Sequence, residues 1–316
     1  MTDAPPVPFS VRLSTRFRGV MSREGWLLQG EAGWGEFSPF WDYDAYRAAS
    51  WLLAAREAAE QGWPAPVRDR VPVNAVVPAV TPERAAEMVR VAGCTTVKVK
   101  VGERGQGLAD DVARVAAVRD VLGPSGRIRV DVNGGWPVDE AVHRIRALDV
   151  AARGLEYVEQ PCRDVEDLAA VRRRVDVPLA ADESIRLSDD PVRVVRAEAA
   201  DIAILKVAPL GGVASCLILA EQLGLPVVVS SALETSVGLA AGVALAAALP
   251  ELPYACGLGS GLLLAQDVVT DRLVPVNGAL DVRRAAPAPE LLAAAAPDEE
   301  MMNRLQGRLL EVQAEV

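Results

Sequence analysis

The 316-residue sequence predicts an α/β fold, a modified (β/α)8-type TIM barrel with an N-terminal α+β capping domain. From about Val71 onward, short β-branched runs alternate with Ala-, Leu- and Arg-rich stretches of helical period, the pattern of βαβ units in a parallel sheet. The runs fall near 72–77, 95–101, 127–133, 155–160, 178–182, 201–207, 226–231 and 254–258, enough strands to close a barrel. An open doubly wound sheet is the structural alternative, but no G-x-G-x-x-G opens a helix after the first run.

Taken in order, residues 1–71 form the capping domain. FSVRLSTRF and GWLLQGEAGWGEFSPF alternate like antiparallel strands, and YRAASWLLAAREAAEQG reads as a helix. Residues 72–285 form the barrel, with helices such as PERAAEMVRVAG and DEAVHRIRALDVAARG between the runs. Parallel strands covered by helices should be almost continuously apolar, as AILKVA and PVVVSSA are. The tail, 286–316, ends in PDEEMMNRLQGRLLEVQAEV and is expected to join the capping domain or form a final helix.

Composition narrows the function classes. A net charge of −10 opposes binding to phosphate backbones, so nucleic acid is a poor partner. No apolar run reaches a membrane span without a Pro, Gly or charge, and MTDAPPVPFSVR lacks the basic and apolar stretches of a signal peptide. A cytoplasmic protein is expected. Cys94, Cys162, Cys216 and Cys256 lie far apart, without metal-ligand spacing, and read as reduced core residues. The periodicity serves core and interface alike, so it assigns no oligomeric state.

Of 33 basic residues only Lys98, Lys100 and Lys206 are lysine, and all three lie in predicted strands. A bias toward Arg would explain a scattered trio, but K-V-K inside TTVKVKV and the Lys of ADIAILKVA are not scattered. An ammonium can lose its proton and act as a base; a guanidinium cannot.

Polar residues interrupt the other runs at their C-terminal ends: Asp131 and Asn133, Glu159, then Asp182 and Glu183. From Lys100 through Asp131, Glu159 and Asp182 to Lys206 the steps are 31, 28, 23 and 24 residues, each about one βα unit. Residues so spaced meet at the barrel's C-terminal mouth. Alternation also turns Lys98, Lys100, Arg129, Asp131 and Asn133 toward the interior. Asp131, Glu159 and Asp182 would repel one another there, and an all-oxygen set with no His or Cys favours Mg²⁺, with Mn²⁺ a possible substitute. Taken singly, each acid is as readily a helix cap or an arginine partner.

These residues and the motifs GWGEFSPF, KVKVG, DVNGGW, EQP, ADES, LKVAPLGG and SSALETSVG resemble, in order and over nearly the whole chain, the enolase superfamily and its muconate-lactonizing-like branch. Sites of that superfamily pair a Lys or His base with Mg²⁺. Arg129 two residues before Asp131, and SSALETSVG, are similar to the o-succinylbenzoate synthase subfamily of menaquinone biosynthesis.

The resemblance implies a small-molecule carboxylate substrate and a Mg²⁺-dependent lyase dehydrating 2-succinyl-6-hydroxy-2,4-cyclohexadiene-1-carboxylate to 2-succinylbenzoate. It implies Lys100 as base, Lys206 as cationic stabiliser of the enediolate, and Asp131, Glu159 and Asp182 as metal ligands. Lys98 would tune Lys100, and Asn133 and Glu183 would act from behind the ligands. Asn133 is equally a turn residue before Gly134. Arg129, Ser230, Ser231, Gly257 and Gly259 are candidate substrate contacts, with loop packing the equal alternative for the serines and glycines. Arg16 and Arg18 are candidates for a second carboxylate. His143, mid-helix, is read as a surface or packing residue. The same lysines and metal would also serve an N-succinylamino acid racemase, a dipeptide epimerase or a muconate cycloisomerase, and a barrel without catalysis is the remaining reading.

Overall fold

The computed structural model describes residues 5–17 and 19–316. The chain opens with an antiparallel meander of β1 (Val7–Phe17), β2 (Val20–Gly30) and β3 (Gly33–Phe37), followed by α1 (Ala45–Arg56). Phe9, Val11, Leu27 and Phe37 alternate onto the face that packs against Trp51 and Leu52 of α1. β4 (Arg70–Pro72) then leads into the barrel.

Seven strands form one parallel sheet: β5 (Ala75–Val77), β6 (Thr96–Lys100), β7 (Arg127–Asp131), β8 (Tyr157–Glu159), β9 (Leu179–Ala181), β10 (Ile202–Leu205) and β11 (Val227–Val229). Each lies beside its sequence neighbour, the strand order of a singly wound barrel. The expected eighth strand at 254–258 is reduced to single bridges. Cys256 pairs with Val73 and Gly257 with Ser230, both parallel, so two residues join the sheet's first and last strands.

The intervening helices are α2 (Pro82–Ala92), α3 (Leu108–Leu122), α4 (Val138–Ala152), α5 (Val165–Arg172), α6 (Glu183–Arg186), α7 (Arg193–Arg196), α8 (Val213–Leu223) and α9 (Ser236–Ala248). Their limits follow local chemistry. In α2 the Thr81 hydroxyl caps the N-terminus, Pro82 opens the helix, and Gly93 takes the left-handed conformation that ends it. β12 (Ala279–Asp281) pairs antiparallel with β4. After α10 (Pro289–Ala294), α11 (Glu299–Gln313) lies against the N-terminal meander: Trp26 Nε1 donates to Leu305 O at 3.2 Å and Arg308 Nη2 to Tyr43 O at 2.6 Å. Leu305 and Val312 share one apolar cluster with Phe9, Trp26 and Trp51.

All four cysteines are buried and unpaired, and His143 is exposed on α4. Among the described residues no helix is long and apolar enough to cross a membrane.

Candidate active site

The parallel register assembles the site. Lys100 lies beside Asp131, and Asp131 beside Glu159; Lys98 lies beside Arg129 one layer lower. Asp182 follows the last residue of β9 and Lys206 the last of β10. Six side chains from five strand ends thus converge, each nine-tenths or more buried.

Lys98 Nζ lies 2.9 Å from Glu159 Oε1 and 3.0 Å from Asp131 Oδ2. Lys100 Nζ lies 2.5 Å from Asp131 Oδ2 and donates to Asn133 Oδ1 at 2.7 Å. On the far side Lys206 Nζ donates to Asp182 Oδ2 at 2.6 Å, while Arg186 Nε donates to Asp182 Oδ1 at 2.9 Å. Glu183 Oε1 accepts from Asn133 Nδ2 at 3.1 Å and Arg186 Nη2 at 2.6 Å, linking the two halves behind the carboxylates.

The electrostatics separate these groups. Burial pushes Lys100 below the ordinary lysine range, and the Lys98 ammonium adds to this against the pull of Asp131. Lys98 moves the other way: Asp131 and Glu159 outweigh its burial. Burial would raise both aspartates, but Lys100 and Lys98 hold Asp131 far below its usual range, and Arg186 and Lys206 do the same to Asp182. Glu159 is pushed up to about 7, first by burial and then by Asp131, with Asp182 adding to it.

That mutual repulsion bears on the metal. Among the described residues no group of three or more acidic, His or Cys side chains is drawn together tightly enough to hold one ion; the ammonium groups take the carboxylate oxygens instead. The donor set still fits a hard divalent cation, since it is anionic, all oxygen, buried and on three adjacent strands.

Lys98, Lys100, Asp131, Asn133, Lys206, Ser230, Ser231 and Gly257 line one cavity of about 30 Å³. Arg16 stands outside it, in an adjoining cavity of about 450 Å³ that also touches Phe17, Lys100 and Asn133. Arg18 lies outside the described residues.

Two candidate contacts sit elsewhere. Arg129 points into the layer below, where Nε lies 2.6 Å from Glu156 Oε2, Nη1 donates to Asn74 Oδ1 at 2.9 Å and to Ala255 O at 2.6 Å, and the guanidinium stacks 4.7 Å from the Tyr157 ring centroid. It packs the floor because alternation sets it one layer beneath Asp131. Gly259 faces away from the cavity: a Cβ there would stand 2.3 Å from Asn74 O, so its role is close packing. Gly257 does touch the cavity, and a Cβ on it would meet Ser230 Oγ at 2.5 Å.

Phe40, the last residue of GWGEFSPF, joins the apolar wall; sequence reasoning missed its other members, Phe17, Val76, Ala232 and Leu233, and also Ser260, whose Oγ accepts from Ser231 Oγ at 2.6 Å. It missed Arg186, and Gln160, whose Oε1 accepts from the backbone N–H groups of Asp182 (2.9 Å) and Ser184 (3.1 Å) and so fixes the turn carrying Asp182. The EQP and DES motifs held the signal, as polar residues next to predicted ligands.

Known proteins resemble this chain in both parts of its fold. Residues 81–287 match the family described as enolase C-terminal domain-like, and residues 9–59 match enolase N-terminal domain-like. The o-succinylbenzoate synthase of Thermobifida fusca is 66% identical over 285 residues, covering 90% of this chain and 89% of that protein. That of Mycolicibacterium smegmatis is 58% identical, covering 91% and 88%. Among solved structures, the L-Ala-D/L-Glu epimerase from Bacillus subtilis superposes with a TM-score of 0.76 at 25% identity, covering 90% of this chain and 96% of that one. A muconate lactonizing enzyme from Pseudomonas fluorescens reaches 0.78 at 21% identity, covering 92% and 97%, and attests the fold. With both domains matched and such relatives aligned over nine-tenths of its length, the chain belongs to the o-succinylbenzoate synthase family of the enolase superfamily.

Proposed function

We propose that this hydro-lyase dehydrates 2-succinyl-6-hydroxy-2,4-cyclohexadiene-1-carboxylate to 2-succinylbenzoate, with Lys100 as base. The observation that carries the reading is the pair of buried lysines, Lys100 and Lys206, lining one cavity from strands separated by three others. Asp131, Glu159 and Asp182 would hold Mg²⁺, which when bound supplies positive charge to the substrate carboxylate as it gains electrons.

The chain's own residues do the rest. Lys100 Nζ removes the proton alpha to the carboxylate, and its burial and the neighbouring Lys98 ammonium shift it downward, the direction a lysine base needs. Lys206 sets an ammonium against the carboxylate oxygens on which the electron pair accumulates. As the diene becomes aromatic, the C6 hydroxyl departs with the proton returned from Lys100, and water leaves. Lys98 stays protonated, keeping a positive charge beside Lys100. Phe17, Phe40 and Leu233 line the cavity and keep bulk water from the reacting carbon.

The test follows ultraviolet absorbance of the diene with purified protein and Mg²⁺. EDTA-sensitive loss of the diene is expected; a Mg²⁺-loaded protein that leaves it untouched overturns the reading. A second reading, racemisation of an N-succinylamino acid or epimerisation of a dipeptide, draws on the same opposed lysines. Solvent deuterium entering the alpha carbon of such a compound, without diene turnover, would favour it.

A further inference from the structure

We propose that Arg23, on β2 of the N-terminal meander, is a positioning residue of the active site: it holds the left-handed turn at Leu233 and so sets the apolar wall facing the substrate. The proposal rests on the reading above only for the identity of that substrate.

Leu233 has φ +67°, a conformation that a leucine rarely adopts and that persists only where surrounding contacts enforce it. Within the segment Leu233 N donates to Ser231 Oγ at 3.4 Å, and the remaining contacts come from the other domain. Arg23 Nε donates to Leu233 O at 3.1 Å. Nη2 of the same guanidinium donates to Ser38 O, in a short contact, and to Ser38 Oγ at 3.3 Å. The guanidinium also lies 4.1 Å from the Phe40 ring centroid. One buried fork therefore ties together Leu233 and Phe40, two side chains of the cavity wall.

A second set of bonds fixes the same junction. Glu36 Oε2 accepts from Thr235 Oγ1 at 2.5 Å, Thr235 N at 3.1 Å and Gly238 N at 3.1 Å, so a carboxylate of β3 caps α9. Glu234 accepts from Ala232 N at 2.9 and 3.0 Å, turning the segment back on itself. Arg23 opposes the effect of burial on both acids, Glu36 and Glu234, and at Glu234 Lys206 acts in the same direction. Its planar fork reaches acceptors on both domains at once, which a lysine cannot do.

The experiment compares Arg23→Lys, Leu233→Ala and the double variant in the Mg²⁺-loaded enzyme. Arg23→Lys keeps the charge that Glu36 and Glu234 need, so the protein folds while the fork is lost. We expect KM for the diene to rise at least tenfold with kcat within threefold, and the double variant to be no worse in kcat/KM than Leu233→Ala alone. Losses that multiply in the double variant would make Arg23 a domain-interface residue only and overturn the proposal. Hydrogen exchange at the 231–235 amides, measured without substrate, is a separate arm. At least tenfold lost protection in Arg23→Lys is expected, and unchanged protection overturns the proposal even if the wild type fails to turn over the diene. Wild-type inactivity alone would sink the assigned substrate and leave Arg23 to the exchange result.

Discussion

Arg129 and Asp131 stand two residues apart on β7, face the same barrel interior and are equally buried, yet they belong to different kinds of charge cluster. In the floor, Arg129 is matched by Glu156, Asn74, a carbonyl and the Tyr157 face. Around it Ile202, Ile204 and Val228 fill the layer. In the mouth, three carboxylates repel one another, a lysine is held below its ordinary range, and a cavity adjoins them. Burial alone therefore says little about function. What separates the layers is the company the charges keep: in the mouth several ammonium and carboxylate groups perturb one another beside a cavity, whereas the floor sets one cation against one acid among packed apolar side chains.

The comparison predicts opposite outcomes for substitutions in the two layers. In the mouth, Lys100→Arg should lower kcat by about 10³- to 10⁴-fold, the reach of a positioned base, while the thermal midpoint stays near wild type. A variant with near-normal kcat would remove Lys100 as the base. In the floor, Arg129→Met should leave Glu156, a buried acid, with only the exposed Arg127 at 3.5 Å, costing about 3 kcal/mol in denaturant unfolding while kcat of the folded fraction falls little. If Arg129→Met instead lost turnover at unchanged stability, the floor would belong to the chemistry and the division between layers would fail.

Asp182→Asn sharpens the same division within the mouth. Asp182 lies between Lys206 and Arg186, so the neutral amide leaves two buried cations short of their counter-charge and should also cost about 3 kcal/mol of stability. Mg²⁺ affinity should fall by about 100-fold, on the reasoning that even outer partners of a metal contribute 10- to 100-fold. Titration calorimetry showing unchanged affinity would take Asp182 off the ligand set.

The division also explains what the sequence could reveal. Strand order and the residues of the mouth were legible because each strand repeats one local pattern, an apolar run ending in a charge, at one βα spacing. Depth along a strand was not: Arg129 and Asp131 share a face, and periodicity of two cannot say which reaches the cavity. The wall was harder still. Phe40 and Leu233 meet through Arg23, which lies 210 residues before Leu233, and in the sequence Leu233 is one leucine among many. The eighth strand was overdrawn because 254–258 carries the apolar pattern, while closure needs only Cys256 and Gly257.

The seam between domains offers the smallest and most specific test, since it is a third buried polar cluster, and Glu36 within it is matched by hydrogen bonds more than by charge. Burial raises Glu36 to about 7 despite donors from Ser38 and Thr235, with Glu234 pushing the same way and Arg23 opposing. Between its unfolded value near 4.5 and its folded value near 7, the folded chain holds a proton that the unfolded chain releases. This contribution to stability is therefore full below about pH 4.5 and is lost as pH rises through 7. Glu36→Gln, which does not titrate, should gain roughly 1–3 kcal/mol relative to wild type between pH 5 and 8. Denaturant unfolding at several pH values reads this directly. A flat difference would mean that the four donors keep Glu36 ionised throughout, making the seam a matched cluster like the floor.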